Sequence, residues 1–282
     1  MPHLSFSQLT TLWGCPEKHR RTYVLGEREA PSPAIIMGQA AHSGIEGALR
    51  ASQGRMPFGK AGVVAEVERR WHELAKGVVD WSDGPKKLEP ETGLAYAKAM
   101  AQALYEHAVP EVRRGSTHCE WRFDEDIAGE PGWTFTGSID HMRTVSKQII
   151  IDDWKTTSSR WSQSRADASL QVDAYYWAVR RAFGKLPSKF VFHVVTRPKL
   201  VKGPSGTFEL GECSYDSYET SREPGAIDLF EKRIGLGVQY IKRMHDAEAM
   251  SDPRTDWEYH KYCSFKKHCT PWELGTLGNV IL

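Results

Sequence analysis

The sequence predicts an α/β protein in which a central mixed β-sheet is flanked by helices, with a helical N-terminal region and a cysteine-bearing C-terminal tail. Three observations predict it. Apolar residues recur at helical spacing through the first 115 residues. Alternating or continuous runs of aromatic and β-branched residues fill much of 116–215. Within that stretch the order is β-β-β-α-β, which suits a sheet with a helical crossover. No internal repeat interrupts the pattern. The expectation is one domain over 1–282: a mainly helical part (1–115), an α/β core (116–215), and a C-terminal helix with a Cys/His tail (216–282).

Ser5 with Gln8 three residues later forms a capping box, and Leu9, Leu12 and Trp13 then follow at helical spacing. Pro16 opens a second helical segment that runs to Tyr23, and Gly26 to Pro33 reads as a loop. Residues 35–52 carry an apolar stripe of Ile36, Ala40, Ile45 and Leu49, and further helices fit 61–76 and 91–108. Asp83-Gly84-Pro85 marks a loop between these two. Cys119 to Phe123 alternates like a strand, Gly129 to Gly132 is a turn, and Trp133, Phe135 and Ile139 begin the next strand. Ile149-Ile150-Ile151 is the apolar run of a central strand. A helix at 165–183, strands at 189–196 and 208–215, and a helix at 225–247 complete the order.

Composition excludes several classes. With 40% hydrophobic and 26% charged residues the chain is expected to be globular and soluble. No apolar run approaches the roughly 20 residues that span a bilayer, so no membrane partner is expected. The N-terminus shows no basic region followed by an apolar core, which predicts no signal peptide and a cytoplasmic protein. Five cysteines in such a chain argue against a disulfide framework. Net charge is only +1, but basic residues cluster at Lys18–Arg21, Arg180-Arg181, Arg197/Lys199/Lys202 and Lys266-Lys267-His268. These permit a local nucleic-acid groove, although each alone also reads as a solvated face.

The chemistry concentrates in G-S-I-D-H-M-R-T-V-S-K-Q-I-I-I-D-D-W-K-T-T, residues 137–157. If 133–145 and 148–155 pair as a hairpin through a Ser146-Lys147 turn, Val145 faces Gln148. Counting five residues out along each strand then sets Asp140 opposite Asp153. Cβ atoms of such a pair lie roughly 5 Å apart, and bare like charges there destabilise a sheet. A divalent cation between them reverses that sign. Lys155 shares their face, whereas Asp152 and Trp154 point to the other. Two carboxylates with an ammonium beside them suit Mg²⁺ or Mn²⁺. The competing reading is a solvated edge hairpin with a salt bridge.

G-S-I-D followed by I-I-D-D-W-K-T resembles the signature of the PD-(D/E)xK nucleases in their RecB-like form. Gly38-Gln39-Ala40-Ala41-His42 is similar to the family's G-x-x-x-H helix, and Gln171-Val172-Asp173-Ala174-Tyr175 to its Q-x-x-x-Y motif. S-F-S-Q-L followed by C-P-E-K-H-R-R-T-Y resembles the N-terminal segment of RecB, AddB and the CRISPR-associated RecB-like exonucleases. The resemblance covers about residues 3–272. It implies a restriction-endonuclease-like core and a metal-dependent deoxyribonuclease. In that reading His42, Asp140, Asp153 and the Trp154 backbone carbonyl hold Mg²⁺ or Mn²⁺. Lys155 positions the attacking water, Gln171 positions Lys155 or the scissile strand, and Tyr175 and Glu120 border or support the site. Trp161, beside Arg160 and Arg165, is a candidate for base stacking.

Some members of that family hold a [4Fe–4S] cluster on one N-terminal and three C-terminal cysteines. Here Cys15 is present, and the tail reads His260-x₂-Cys263-x₅-Cys269, with His260 in place of the first tail cysteine. Three readings stay open: a cluster with one His ligand, a structural zinc, or no metal. Cys119 and Cys213 read as buried thiols.

The expected function is therefore an exonuclease acting on single-stranded DNA or DNA ends, in recombination, repair, CRISPR adaptation or phage DNA metabolism. No G-x-x-x-x-G-K-[ST] occurs, so unwinding needs a separate helicase or recombination protein. One alternative is a catalytically idle DNA-binding or scaffolding subunit. Another is a hydrolase of RNA or of a small phosphodiester.

Overall fold

The computed structural model describes residues 2–27, 30–54, 56–77, 79, 81, 89–114, 116–202, 208–245, 263, 265 and 269. The loop expected at Asp83 to Pro85, the candidate ligand His260, and Lys266, Lys267 and His268 lie outside them. In chain order the elements are β1 (His3–Ser5), α1 (Phe6–Gly14), α2 (Pro16–His19), a π-helical turn (Arg20–Val24), α3 (Pro33–Gln53), α4 (Lys60–Ala75), α5 (Pro90–His107) and α6 (Val109–Val112). Then follow β2 (Ser116–Asp126), β3 (Thr134–Val145), β4 (Gln148–Thr157), α7 (Gln163–Asp167), α8 (Leu170–Phe183), β5 (Lys189–Thr196), β6 (Leu200–Lys202), β7 (Phe208–Leu210), β8 (Ser214–Thr220) and α9 (Pro224–His245).

The sheet is mixed, in the order β1-β3-β4-β5-β8, with β2 also paired to β3. β1–β3 and β4–β5 are parallel; β3–β4 and β5–β8 are antiparallel. β6 and β7 pair as a separate antiparallel ribbon. Among the described residues no helix is long and apolar enough to cross a membrane.

The chain packs as two compact units. One comprises 1–29, 123–137 and 225–282. Ser5 caps α1 by accepting from the Gln8 backbone N–H at 3.3 Å, as its position in the sequence predicts. Leu4, Leu9 and Leu12 are buried here with Ile227, Phe230, Ile234 and Val238 of α9. Phe135 meets the Phe230 ring edge-on at 5.8 Å. Gly237 allows this closeness, since a Cβ there would come within 2.9 Å of Leu9 Cδ1. Glu130 is held by Gln239 at 2.9 Å and Lys242 at 2.7 Å.

The other unit comprises 30–122 and 138–224. Ile36, Ala40, Ile45 and Leu49 of α3 are all buried, as the stripe predicts. They join Val63, Val67 and Trp71 of α4, Met100 and Leu104 of α5, and Trp154 of β4 in one apolar cluster. β4 is buried from Ile150 to Trp154, which fits a strand with pairing partners on both edges.

Three local expectations need correction. The helix expected at 165–183 is two helices, α7 and α8, because the chain breaks at Ala168-Ser169. The freed carbonyls there find a donor: Arg222 Nη2 bonds Asp167 O at 2.7 Å and Ser169 O at 3.0 Å. The strand expected at 208–215 is also divided. Gly211 passes so close to Lys199 that its N–H donates to the Lys199 carbonyl at 2.9 Å, and β8 starts only at Ser214. Cys119 and Cys213 are half-buried rather than buried, yet burial still pushes each thiol up to about 11.

Candidate active site

The β3–β4 hairpin has the register that its turn predicts: Val145 pairs with Gln148, and the ladder runs to His141 opposite Asp152. The two-residue turn takes Ser146 and Lys147 to φ 51° and 68°, the left-handed pair of a type I′ hairpin without its usual glycine. One step beyond the last ladder pair stand Asp140 and Asp153. Asp140 Oδ2 accepts from the Trp154 backbone N–H at 3.1 Å. Asp153 is fully buried. Lys155 Nζ lies 2.6 Å from its Oδ2, and Gln171 Nε2 donates to its Oδ1 at 2.7 Å. Gln171 also donates to the Tyr175 hydroxyl at 2.9 Å, so one turn of α8 fixes both side chains.

His42 reaches the same place from α3. Its Nδ1 is 3.5 Å from Asp140 Oδ2. Gly38, one turn earlier, makes the approach possible, because a Cβ there would sit 3.1 Å from Thr156 Oγ1. Glu120 completes the group from β2, its Oε2 accepting from Ser138 Oγ at 2.9 Å. It does so at φ 50°, an unfavourable conformation for a non-glycine strand residue and one that re-aims the side chain. The carboxylates open to a polar groove of about 640 Å³ lined by residues including Gln39, His42, Glu46, Glu120 and Asp140.

The electrostatics are those of an under-neutralised acidic site. Burial, and then the Asp140 charge, push the Asp153 carboxyl up to about 6 against the pull of Lys155. Burial likewise raises Asp140, and burial with Asp140 raises Glu120. Tyr175 is raised well above the phenol range by burial and then by the two aspartates. His42 is lowered, first by burial and then by Lys155, so it presents a neutral imidazole. Hard oxygen donors with raised proton affinity beside a neutral imidazole suit a divalent cation of the Mg²⁺ or Mn²⁺ type. Among the described residues no group of three or more His, Cys, Asp or Glu side chains is placed to hold a metal ion. Mg²⁺ needs none, since it is commonly held by one or two carboxylates plus water and substrate oxygens.

Sequence reasoning missed what lies behind Asp153. Asp152 points to the opposite face and is fully buried. Its Oδ2 meets His141 Nδ1 at 3.1 Å and accepts from Arg143 Nε at 2.9 Å; its Oδ1 meets His193 Nε2 at 3.1 Å. His193 Nδ1 continues to the Tyr215 hydroxyl at 2.7 Å, and Arg143 Nη2 to Glu111 at 3.3 Å. Burial alone would raise Asp152, but bonds from His141, His193 and Arg143 hold it well below the carboxylate range. The signal was present, since the register that opposes Asp140 to Asp153 also opposes His141 to Asp152.

Other candidates are placed differently. Trp161 packs at a tilt on Phe192 at 5.1 Å, and Arg165 covers one face of its ring at 4.3 Å. Cys15, Cys263 and Cys269 are each buried, but their proposed partner His260 lies outside the described residues. Neither iron–sulfur nor zinc ligation is visible in what remains.

Comparisons with known proteins bear on the fold and the family. No curated protein matches the sequence. A solved structure of a candidate exonuclease from Eubacterium rectale superposes with a TM-score of 0.58 at 12% identity, covering 99% of this chain and 94% of its own. A second, SSO0001, is similar only at a TM-score of 0.33 and 13% identity, over 96% of this chain and 87% of its own, and carries no argument. The sequence profile of the PD-(D/E)XK nucleases matches residues 3–270, nearly the full length. The chain belongs to the PD-(D/E)XK nuclease superfamily.

Proposed function

We propose that the protein is a divalent-metal-dependent DNA exonuclease whose reaction centre is Asp140, Asp153, Lys155 and Gln171, with His42 and the Trp154 carbonyl completing the metal-binding set. The observation that carries this reading is the buried Asp153, clamped between Lys155 at 2.6 Å and Gln171 at 2.7 Å, with its carboxyl pushed up by burial and by Asp140. When bound, Mg²⁺ or Mn²⁺ would polarise the phosphoryl oxygen and lower the pKa of a water. Asp140 and Asp153 supply the oxygen donors, and neutral His42 adds a nitrogen. Lys155 holds the attacking water and stabilises the charge that gathers on the phosphoryl oxygens. Gln171 keeps Asp153 from rotating. Water adds to phosphorus in line, the P–O bond to the departing strand breaks, and the leaving oxygen takes up a proton.

The idle-subunit alternative lacks support from these residues, because both aspartates and the lysine are present and brought together. Any unwinding would need a separate helicase, since the sequence carries no P-loop. For the tail, iron, sulfide and zinc content of anaerobically purified protein distinguishes a cluster, a zinc and no metal.

The deciding experiment uses single-stranded DNA labelled at either end, with Mn²⁺, Mg²⁺ or EDTA, beside Lys155→Ala and a labelled RNA of the same sequence. Metal-dependent shortening of DNA that the variant lacks is the expected result, and the two labels read its polarity. Well-folded wild-type protein that cleaves neither nucleic acid would overturn the reading in favour of a binding subunit. Cleavage of RNA alone would reassign the substrate.

A further inference from the structure

Two grooves lie in the unit that holds the aspartates, and their cations are engaged differently. In the groove lined by α3 and α4, Arg50 is bonded to Glu46, Arg69 to Glu66 and Glu73, and Arg70 to Glu73. Every guanidinium there has a carboxylate. The second groove begins just past Lys155. Thr156, Thr157 and Ser158 line a cavity of about 80 Å³ with Met37, Met100 and Arg197. Ser158 and Arg197 are shared with an adjoining groove of about 480 Å³ that adds Arg160, Thr196 and Lys199.

In this second groove Arg160 reaches Asp216 at 3.5 Å. Arg197 and Lys199 make no ion pair among the described residues, although Glu212 lines the same groove. The Arg197 guanidinium lies over the Tyr96 ring at 5.0 Å, and its backbone N–H is tied to Thr157 O at 2.8 Å. It is therefore oriented without being neutralised. Thr196 lines the groove as well, and its Oγ1 is buried with no hydrogen-bond partner among the described residues. An unpartnered hydroxyl beside two uncompensated cations calls for an anionic oxygen ligand.

We propose that the polynucleotide flanking the scissile phosphate runs along this second groove, its phosphates held by Arg197 and Lys199 with hydroxyls from Thr196 and Ser158. The scissile phosphate meets Asp140 and His42 at the mouth of the α3/α4 groove, but the flanking strand does not continue along that groove's paired arginines. The assignment rests on the nuclease reading of the adjacent aspartates and adds the path of the substrate. Contacts to phosphate alone carry no base preference, which suits digestion of any sequence.

The test is fluorescence anisotropy with a labelled oligothymidylate of about 20 nucleotides in EDTA, so that binding is read without turnover. Arg197→Gln/Lys199→Gln should weaken binding about tenfold or more and reduce the slope of log K against log salt by about 1.4, the value for two phosphates on a single strand. Arg69→Gln/Arg70→Gln should change Kd by less than about twofold, because those charges are already paired. The charge-conserving pair Arg197→Lys/Lys199→Arg should bind nearly as wild type. If uncovering Tyr96 destabilises the Arg197 variant, Lys199→Gln alone, on an exposed side chain, should still weaken binding and lower the slope by about half that amount. An unchanged Kd and slope in the Gln variants, or a larger loss from Arg69/Arg70, would overturn the groove, as would a wild type that binds no oligonucleotide. Adding Mn²⁺ separates the two readings. Binding with the expected dependence but no cleavage would overturn the nuclease and keep the groove. Lys155-dependent cleavage with normal binding by the Gln pair would do the reverse.

Discussion

Asp152 and Asp153 are neighbours on β4, both fully buried, and they settle in opposite electrostatic states. Asp152 faces two histidines and an arginine, all within 3.3 Å of its oxygens, and is held well below the carboxylate range. Asp153 faces one lysine, one amide and a second acid, and is pushed up to about 6. Burial is the same for both, so partners alone make the difference. A closed network ties β3, β4 and β5 together on one face. On the other, the negative charge is left incompletely answered where an incoming cation can complete it. Strongly perturbed acids of this second kind mark functional sites.

The largest effect that separates the two is on cleavage. Asp153→Asn and Lys155→Ala should each lower the rate by about 10³-fold or more at an unchanged far-UV spectrum, read by product formation from labelled DNA. Asp152→Ala should leave less folded protein instead. It strands Arg143 and two histidines, and breaking a buried pair typically costs about 3–5 kcal/mol. Urea denaturation measures that loss. Near-wild-type stability in Asp152→Ala, with cleavage abolished, would show that the network serves the chemistry and not the sheet.

A smaller effect is the pH dependence of stability in a chelator. The Asp153 carboxyl ionises near its ordinary 3.8 in the unfolded chain and near 6 in the folded one. Between those values the folded state holds the extra proton, so stability falls as pH rises through the window and levels off above it. The change should be on the order of 3 kcal/mol. Asp140 and Glu120, also raised, add to it in the same direction. Asp152 has the opposite sign, but its stability is lost only as pH falls below 3.8, so the two do not overlap. Asp153→Asn should flatten the slope between pH 4 and 6, and Mn²⁺ should do so in the wild type by holding the carboxylates ionised. A slope that persists unchanged in Asp153→Asn would assign it to another group.

Most of the fold was legible because periodicity is local. The α3 stripe, the β5 run and the two-residue turn at Ser146-Lys147 depend on neighbours in sequence. The turn then fixed the register and, through it, the opposition of Asp140 and Asp153. What could not be read depends on distant partners. The break between α7 and α8 is satisfied by Arg222, some fifty residues on, and the division at Gly211 answers the Lys199 carbonyl. Asp152 was halfway legible. Its pairing with His141 follows from the register, but His193 arrives from β5, whose alignment no local rule supplies. For His42 and Gln171 the sequence offered only a resemblance, and the reasons lie in packing: Gly38 against Thr156 for one, the Tyr175 hydroxyl for the other.

The smallest predicted effect belongs to Gln171 and sharpens the contrast further. Its amide supplies one of the donors that Asp153 has, at 2.7 Å, and the same Nε2 reaches Tyr175 at 2.9 Å. Gln171→Ala removes a hydrogen bond to a charged acceptor, worth about 1.5–3 kcal/mol in place. Lys155 still holds the other oxygen at 2.6 Å, so the carboxylate loosens without being lost. Cleavage should fall about tenfold, which is about 1.4 kcal/mol on the barrier. Gln171→Glu is the more telling variant, because it keeps the shape and replaces a donor with a further negative charge. In a chelator it should raise the Asp153 carboxyl further, steepen the fall in stability above pH 4, and lose more activity than the alanine. A glutamate variant as active as wild type, with an unaltered pH–stability curve, would mean that Gln171 does not contact Asp153 in solution. The incomplete neutralisation of that face would then have to be explained by Lys155 and Asp140 alone.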